Sequence, residues 1–218
     1  MESRLRSVFN ANSPIWCVLF IILILGLSRS GHVFSQDIPD YVEDYIIGRG
    51  RITAVDWSSS GQGLIAVAST NDIWLYDDNL NDIGYIGLTN FITGGLSWSP
   101  DGSKIAFGVF VDRSKFQMEV QVWSTLGPSL LQTFPVEQPS DFVDTAWSPD
   151  GTQLAVSPTR FGVNIWDVQS GQLVQELLGT VGSVPDLQWS SDGTFLAGGG
   201  ENGVLRVWDV ATGGQQSM

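Results

Sequence analysis

The sequence predicts an all-β chain built from one structural unit repeated four times, preceded by an N-terminal apolar helix. Three observations carry that expectation. A tryptophan-turn-strand phrase recurs along the chain, each copy holds turn-forming residues at fixed places, and the composition favours turns and short strands. Gly 25, Pro 9 and Trp 9, with only 15% charged residues, fit many tight turns better than long solvated helices.

The repeat begins at WSSSG (57–61), WSPDG (98–102), WSPDG (147–151) and WSSDG (189–193). A strand with small apolar residues follows each time: LIAVA (64–68), IAFG (105–108), LAVS (154–157) and LAGG (196–199). A second aromatic closes each unit, at Tyr76, Trp123, Trp166 and Trp208. The separation between the two aromatics is 19, 25, 19 and 19 residues, so the second unit simply carries a longer loop. In Ser-Pro-Asp-Gly the proline presets φ, the aspartate caps the backbone of its own turn, and the glycine takes the left-handed position. Alternating apolar positions on either side predict strands with one face in and one out. Ala66, Ala106, Ala155 and Ala197 suit places where neighbouring sheets approach closely, and the paired aromatics suit the wider gaps. No unit this small buries both faces alone, so the units must stack.

WSPDG followed by a strand and then IWDVQSG (165–171) or VWDVATG (207–213) resembles the WD-repeat β-propeller family, from about residue 40 to the C-terminus. The resemblance implies a propeller of four-stranded antiparallel blades, each repeat giving an outer strand and then three inner ones. The repeats then fall near 40–77, 82–124, 129–167 and 172–209, with outer strands near 40–47, 82–88, 129–134 and 172–178. Two departures stand out. Family members often carry Gly-His before the first inner strand, bonded to an aspartate in a later turn, whereas this chain reads IGRGRIT, TNFITGG, QPSDFVD and GTVGSVP there. Without that network, stability is expected from packing. Four repeats are also fewer than the family's usual ring of about seven blades. The expectation is therefore a partial propeller over 36–218, truncated at its C-terminus, with closure by four blades through residues 40–47 as the alternative. A chain truly this short would have to close in that way or self-associate.

Residues 1–35 read differently. Arg4 and Arg6 precede an unbroken apolar run from Ile15 to Leu27, followed by small and polar residues. That run is short of the roughly 20 residues a membrane span needs, and it matches a signal-peptide core, with cleavage after Ser35 or, as second choice, Ser30. An uncleaved anchor is the alternative. Either way the remainder is expected to be exported, secreted, periplasmic or membrane-anchored facing outside, and the membrane is met only through this segment. The resemblance in this context looks bacterial.

Cleavage would remove Cys17, the only cysteine, and His32, the only histidine. Nucleophilic triads and histidine-liganded zinc are then excluded from the exported part. Asp101, Asp150, Asp192, Asp167 and Asp209 are accounted for by the repeat turns. No catalytic residue and no cofactor is expected, and the chain reads as no enzyme. Asp77, Asn79, Asn81 and Asp82 resemble the start of a calcium loop, but Asp82 and Leu88 stand where glycine and glutamate are required, so a solvated turn is the better reading. GGGENG (198–203) has neither the lysine nor the following helix of a phosphate loop and reads as a hairpin turn.

The formal net charge of −13 argues against a nucleic-acid partner and against anionic lipid surfaces. Most basic residues of the exported part, among them Arg49, Arg51, Arg113, Lys115 and Arg160, fall in loops that a propeller places on one face. With Phe91, Phe116 and Phe161 they form the candidate surface for a protein or peptide partner. The leading functional expectation is an exported interaction scaffold. The rival is the amino-terminal propeller of a longer exported enzyme or sensor, since LSWSPDGSKIAF (96–107) also resembles the repeats of Tol-type and peptidase-associated propellers.

Overall fold

The chain divides into two units, Met1–Ile47 and Gly48–Met218. The structure, a computed structural model, describes residues 51–115, 117–136, 143–159, 162–179, 184–200 and 203–216, all in the second unit. The N-terminal apolar segment and the expected strand at 40–47 lie outside the described residues.

Fifteen strands follow in order: β1 (Ala54–Trp57), β2 (Ile65–Ala68), β3 (Asp72–Tyr76), β4 (Asp82–Gly87), β5 (Phe91–Trp98), β6 (Lys104–Asp112), β7 (Gln117–Ser124), β8 (Ser129–Val136), β9 (Thr145–Trp147), β10 (Gln153–Thr159), β11 (Gly162–Asp167), β12 (Leu173–Leu178), β13 (Asp186–Trp189), β14 (Phe195–Gly199) and β15 (Leu205–Asp209). They form four antiparallel sheets: A (β1–β4), B (β5–β8), C (β9–β12) and the three-stranded D (β13–β15). The all-β expectation therefore holds for the described residues, with three four-stranded sheets and a fourth that begins its last strand. Gln215 bridges to Trp208, and Gln216 N donates to Val207 O at 2.8 Å, so residues 214–216 run along the free edge of β15.

The repeat turns form for the reasons their residues give. Gly61, Gly102, Gly151 and Gly193 have φ of 78°, 71°, 72° and 73°, a region that costs any residue with a Cβ about 1–2 kcal/mol. In three of the turns the glycine N–H donates to the serine carbonyl three residues back, as from Gly151 to Ser148 at 2.9 Å. The serine hydroxyl then donates to the turn aspartate, at 2.5 Å in Ser99–Asp101, 2.6 Å in Ser148–Asp150 and 2.7 Å in Ser190–Asp192. In the first repeat Ser60 replaces the aspartate, and the two hydroxyls of Ser58 and Ser60 pair at 2.8 Å.

Consecutive sheets meet along their first strands, β1 against β5, β5 against β9, and β9 against β13. Each junction holds its own core. Ile73, Leu75 and Ile86 of sheet A meet Trp98, Phe107 and Val109 of sheet B. Val120, Val122 and Phe134 of sheet B meet Trp147, Leu154 and Val156 of sheet C. Val163, Ile165 and Leu177 of sheet C meet Leu187, Trp189 and Leu196 of sheet D. Burying one such aliphatic side chain contributes about 1.5–3 kcal/mol, so the junctions dominate the stability. Ala66, Ala106 and Ala155 are fully buried opposite the first strands, and Ala197 of the last sheet is only partly covered.

Packing is not the whole of it, and here the sequence expectation needs correction. The indole N–H of three repeat tryptophans donates to a first-strand carbonyl of the preceding sheet: Trp98 to Asp56 at 3.3 Å, Trp147 to Ser97 at 3.1 Å and Trp189 to Ala146 at 3.0 Å. Two carboxylates add to this. Asp56 Oδ2 accepts from Trp98 N at 2.9 Å, and Asp144 Oδ2 accepts from Leu187 N at 2.8 Å. A cross-sheet hydrogen-bond network therefore exists without histidine, carried by the tryptophans that the repeat already supplies.

Candidate functional site

Because every sheet is an antiparallel meander, the loops divide between two ends. The connections after β2, β4, β6, β8, β10, β12 and β14 share one end, and those after the odd-numbered strands share the other. The first end is the candidate interaction face.

On it, Phe91 opens β5 and pairs across the ladder with Phe110 of β6. Its approach is fixed by Leu88 N donating to Asn71 O at 3.0 Å and Ile92 N donating to Thr70 O at 2.9 Å, which knit two neighbouring loops together. The β6–β7 hairpin then brings Arg113 over these rings, its guanidinium carbon 4.4 Å from the Phe91 centroid and 5.7 Å from that of Phe110. Such stacking contributes about 0.5–1 kcal/mol at an exposed site and holds the arginine in one place. Asp112 shapes the hairpin. Its Oδ1 accepts from Ser114 N at 2.9 Å and from Ser114 Oγ at 2.6 Å, while Oδ2 pairs with Lys115 Nζ at 3.0 Å. The Ser114 hydroxyl and Lys115 hold the Asp112 carboxyl below its ordinary range. Phe91, Val111, Arg113 and Lys115 are all exposed, which gives an apolar, cationic patch.

Sequence reasoning missed a second group at this end. Tyr85 of β4 donates from its hydroxyl to Asp72 Oδ1 at 2.6 Å and lies against Trp74 with ring centroids 4.4 Å apart. Asp72, as acceptor of that bond, pushes the Tyr85 hydroxyl above its usual range. The signal was present in Trp74-x-Tyr76 and Tyr85 themselves, but only the register of Trp74 against Tyr85 brings the rings together.

The other proposed residues are distributed as follows. Arg51 is exposed at the start of the described chain. Arg49, Phe116, Arg160 and Phe161 lie outside the described residues, so the structure brings together Phe91, Arg113 and Lys115. The calcium-like segment is the β3–β4 turn. Asp77 Oδ1 accepts from Asn79 N at 3.0 Å and Asn81 N at 2.8 Å, and Oδ2 accepts from Asn81 Nδ2 at 2.9 Å. The Asn81 side chain, ahead of the backbone donors, lowers the Asp77 pKa. Both carboxylate oxygens thus serve the turn, and Asp82 begins β4. Between β14 and β15, Gly200 N donates to Val204 O at 3.0 Å and Gly203 N to Gly200 O at 2.9 Å.

The opposite end is acidic, and its carboxylates are occupied. A shallow cleft of about 660 Å³ lies between Asp150, Asp192 and Asp209. Hydrogen bonds from Ser190 and Thr194 hold Asp192 at a pKa of about 2. At Asp101 burial opposes the charge, yet the bonds from Ser99 and Ser103 outweigh it and the pKa again stands at about 2. Groups so firmly ionised are poor proton donors at neutral pH. Two carboxylates held between sheets behave oppositely: burial raises Asp56 above its ordinary range, and at Asp144, just before β9, it pushes the pKa up to about 7 against the bonds from Leu187 N and Thr145 N, with Asp186 and Asp56 adding to the rise. Each accepts from a backbone N–H of the next sheet, which suits a structural role.

Residues 171–209 match the family model described as WD domain, G-beta repeat. This stretch of the chain carries a WD repeat. It begins at outer strand β12 of sheet C and ends on β15 of sheet D, so the repeat spans a junction between sheets. The anaphase-promoting complex subunit cdc20 of Dictyostelium discoideum is similar, at 33% identity over 66 residues. That match takes in 30% of this chain and 13% of the relative, so the chain spans a small part of that protein's length. WD repeats generally mediate protein–protein interaction.

Proposed function

We propose that this protein is an exported, non-enzymatic interaction scaffold whose sheets stack as part of a WD-repeat propeller, and that the loop end carrying Phe91, Arg113 and Lys115 binds a protein or peptide. The observation that carries the reading is the Arg113–Phe91–Phe110 stack: an arginine preorganised over exposed aromatic surface, next to Val111 and Lys115. Arginine and aromatic residues are enriched where interfaces gain most of their energy, and an ordered arginine forfeits less entropy on binding. The similarity to a subunit of a protein assembly supports a partner of protein class. Export rests on Arg4, Arg6 and the apolar run Ile15–Leu27, and a mature N-terminus at Gln36 is its expected mark.

The test has two steps. Cross-linking the protein in its own cells, followed by mass spectrometry, identifies what it touches. The affinity of that partner is then measured for the wild type and for Arg113→Glu with Lys115→Glu. Both side chains are exposed, so the melting temperature should stay within the small range of surface substitutions. Affinity should fall at least about tenfold, the equivalent of about 1.4 kcal/mol. Unchanged affinity removes this end of the molecule as the binding face.

A further inference from the structure

Arg113 is fixed in place, yet its charge is left without a counter-ion. The guanidinium lies over Phe91 and Phe110, and no carboxylate pairs with it among the described residues. Ring stacking satisfies none of its N–H groups. A guanidinium has five donors in a planar fork, and the fork matches the two oxygens of a carboxylate. The acidic groups close by in the chain are already engaged. Asp112 accepts from Ser114 through Oδ1 and pairs with Lys115 through Oδ2, and Asp72 accepts from the Tyr85 hydroxyl. Because Lys115 has Asp112 beside it, a single cation remains for a partner. Apolar surface adjoins that cation: Phe91 and Val111 are each 40% exposed.

The backbone donors of the patch are used as well. Ser114 N and Lys115 N donate to Asp112 Oδ1 at 2.9 and 3.3 Å, while Leu88 N and Ile92 N donate to the Asn71 and Thr70 carbonyls. Among these groups no nest of free amides is left to capture a terminal carboxylate or to cradle a phosphate. We infer that the partner presents a single Asp or Glu side chain flanked by apolar or aromatic residues. Its carboxylate meets the Arg113 fork, and its neighbours cover Phe91 and Val111. This rests on the reading of the loop end as the binding face and adds the chemistry of what is bound. Charge sets the limit of one acid. A longer acidic run would pass beyond Arg113 into the field of a chain whose formal net charge is −13, and a polyanion needs several cations where one remains.

The test uses the full chain in mild detergent and random linear peptides displayed on phage, selected on the wild type and depleted on Arg113→Gln. Arg113 is exposed, so matching circular dichroism melts are expected and rule out misfolding of the variant. The surviving peptides should carry one Asp or Glu next to an apolar residue. Made synthetically, each should lose at least about tenfold in affinity for the wild type when that acid becomes its amide, and almost nothing for Arg113→Gln. Arg113→Lys, which keeps the charge and loses the fork, should recover only part of the affinity. The inference is overturned by selected peptides without a carboxylate, by acidic runs bound better than a lone acid, or by an amide exchange that costs the same on both proteins. A selection that yields no peptide specific to the wild type overturns it too. The reading of the binding face fails differently, through cellular partner binding that survives joint reversal of Arg113 and Lys115. If that reversal abolishes partner binding while the partner's contact segment needs no carboxylate, the face stands and this inference falls.

Discussion

Asp144 gives the sharpest handle on how the sheets are joined. Its carboxylate accepts from Leu187 N at 2.8 Å and lies within reach of Asp186 and Asp56, and burial raises its pKa from 3.8 to about 7. The sign follows from proton linkage. Below the unfolded pKa both states hold the proton and the charge penalty is absent. As pH rises, the unfolded carboxyl ionises first while the folded one keeps its proton, so stability falls until the folded group also ionises near neutrality. Between pH 5 and pH 8 this spans about two pKa units at about 1.4 kcal/mol each, giving roughly 2–3 kcal/mol. Asp144→Asn keeps an oxygen to accept from Leu187 N and removes the charge. Urea unfolding of the two proteins at both pH values isolates the effect, because every other carboxylate is common to them. The asparagine variant should gain about 2–3 kcal/mol relative to wild type on going from pH 5 to pH 8. If the difference between the two proteins does not change with pH, Asp144 is not held in a desolvated junction.

Other substitutions probe the same junctions. Trp147→Phe removes the donor to Ser97 O and opens a small void, so denaturant unfolding should show a loss of about 1–3 kcal/mol. Gly95 has φ of 52°, and a Cβ there would meet the Val143 carbonyl oxygen and come within 2.7 Å of Asp144 Cα. Gly95→Ala should therefore cost at least about 3 kcal/mol or prevent folding, whereas Gly127→Ala, with φ of 76° and open space around it, should cost only about 1–2 kcal/mol in the same assay.

What could be seen in the sequence was what is decided locally. The Trp-Ser-Pro-Asp-Gly turns, the small-residue strands and the second aromatic each depend on neighbours a few residues away, so the strands and their order could be laid out from Trp57 to Asp209. Phe91, Arg113 and Lys115 could be placed at one end because the parity of an antiparallel meander dictates it. Their convergence could not, since Arg113 reaches Phe91 only through the β5–β6 register. The tryptophan bonds between sheets were hidden for a similar reason: partners such as Trp147 and Ser97 are 50 residues apart, and only the docking of one sheet on the next selects that carbonyl. Asp144 likewise looks like an ordinary loop carboxylate until sheet D packs over it.

The central claim is that repeat tryptophans lock each sheet to the one before it, and hydrogen exchange of their indole N–H groups tests it most directly. With indole resonances assigned by single Trp→Phe variants, Trp98, Trp147 and Trp189 should exchange far more slowly than an indole free in water, because each is bonded to a carbonyl inside a junction. Exchange of all three at the rate of free indole would contradict the stacked arrangement.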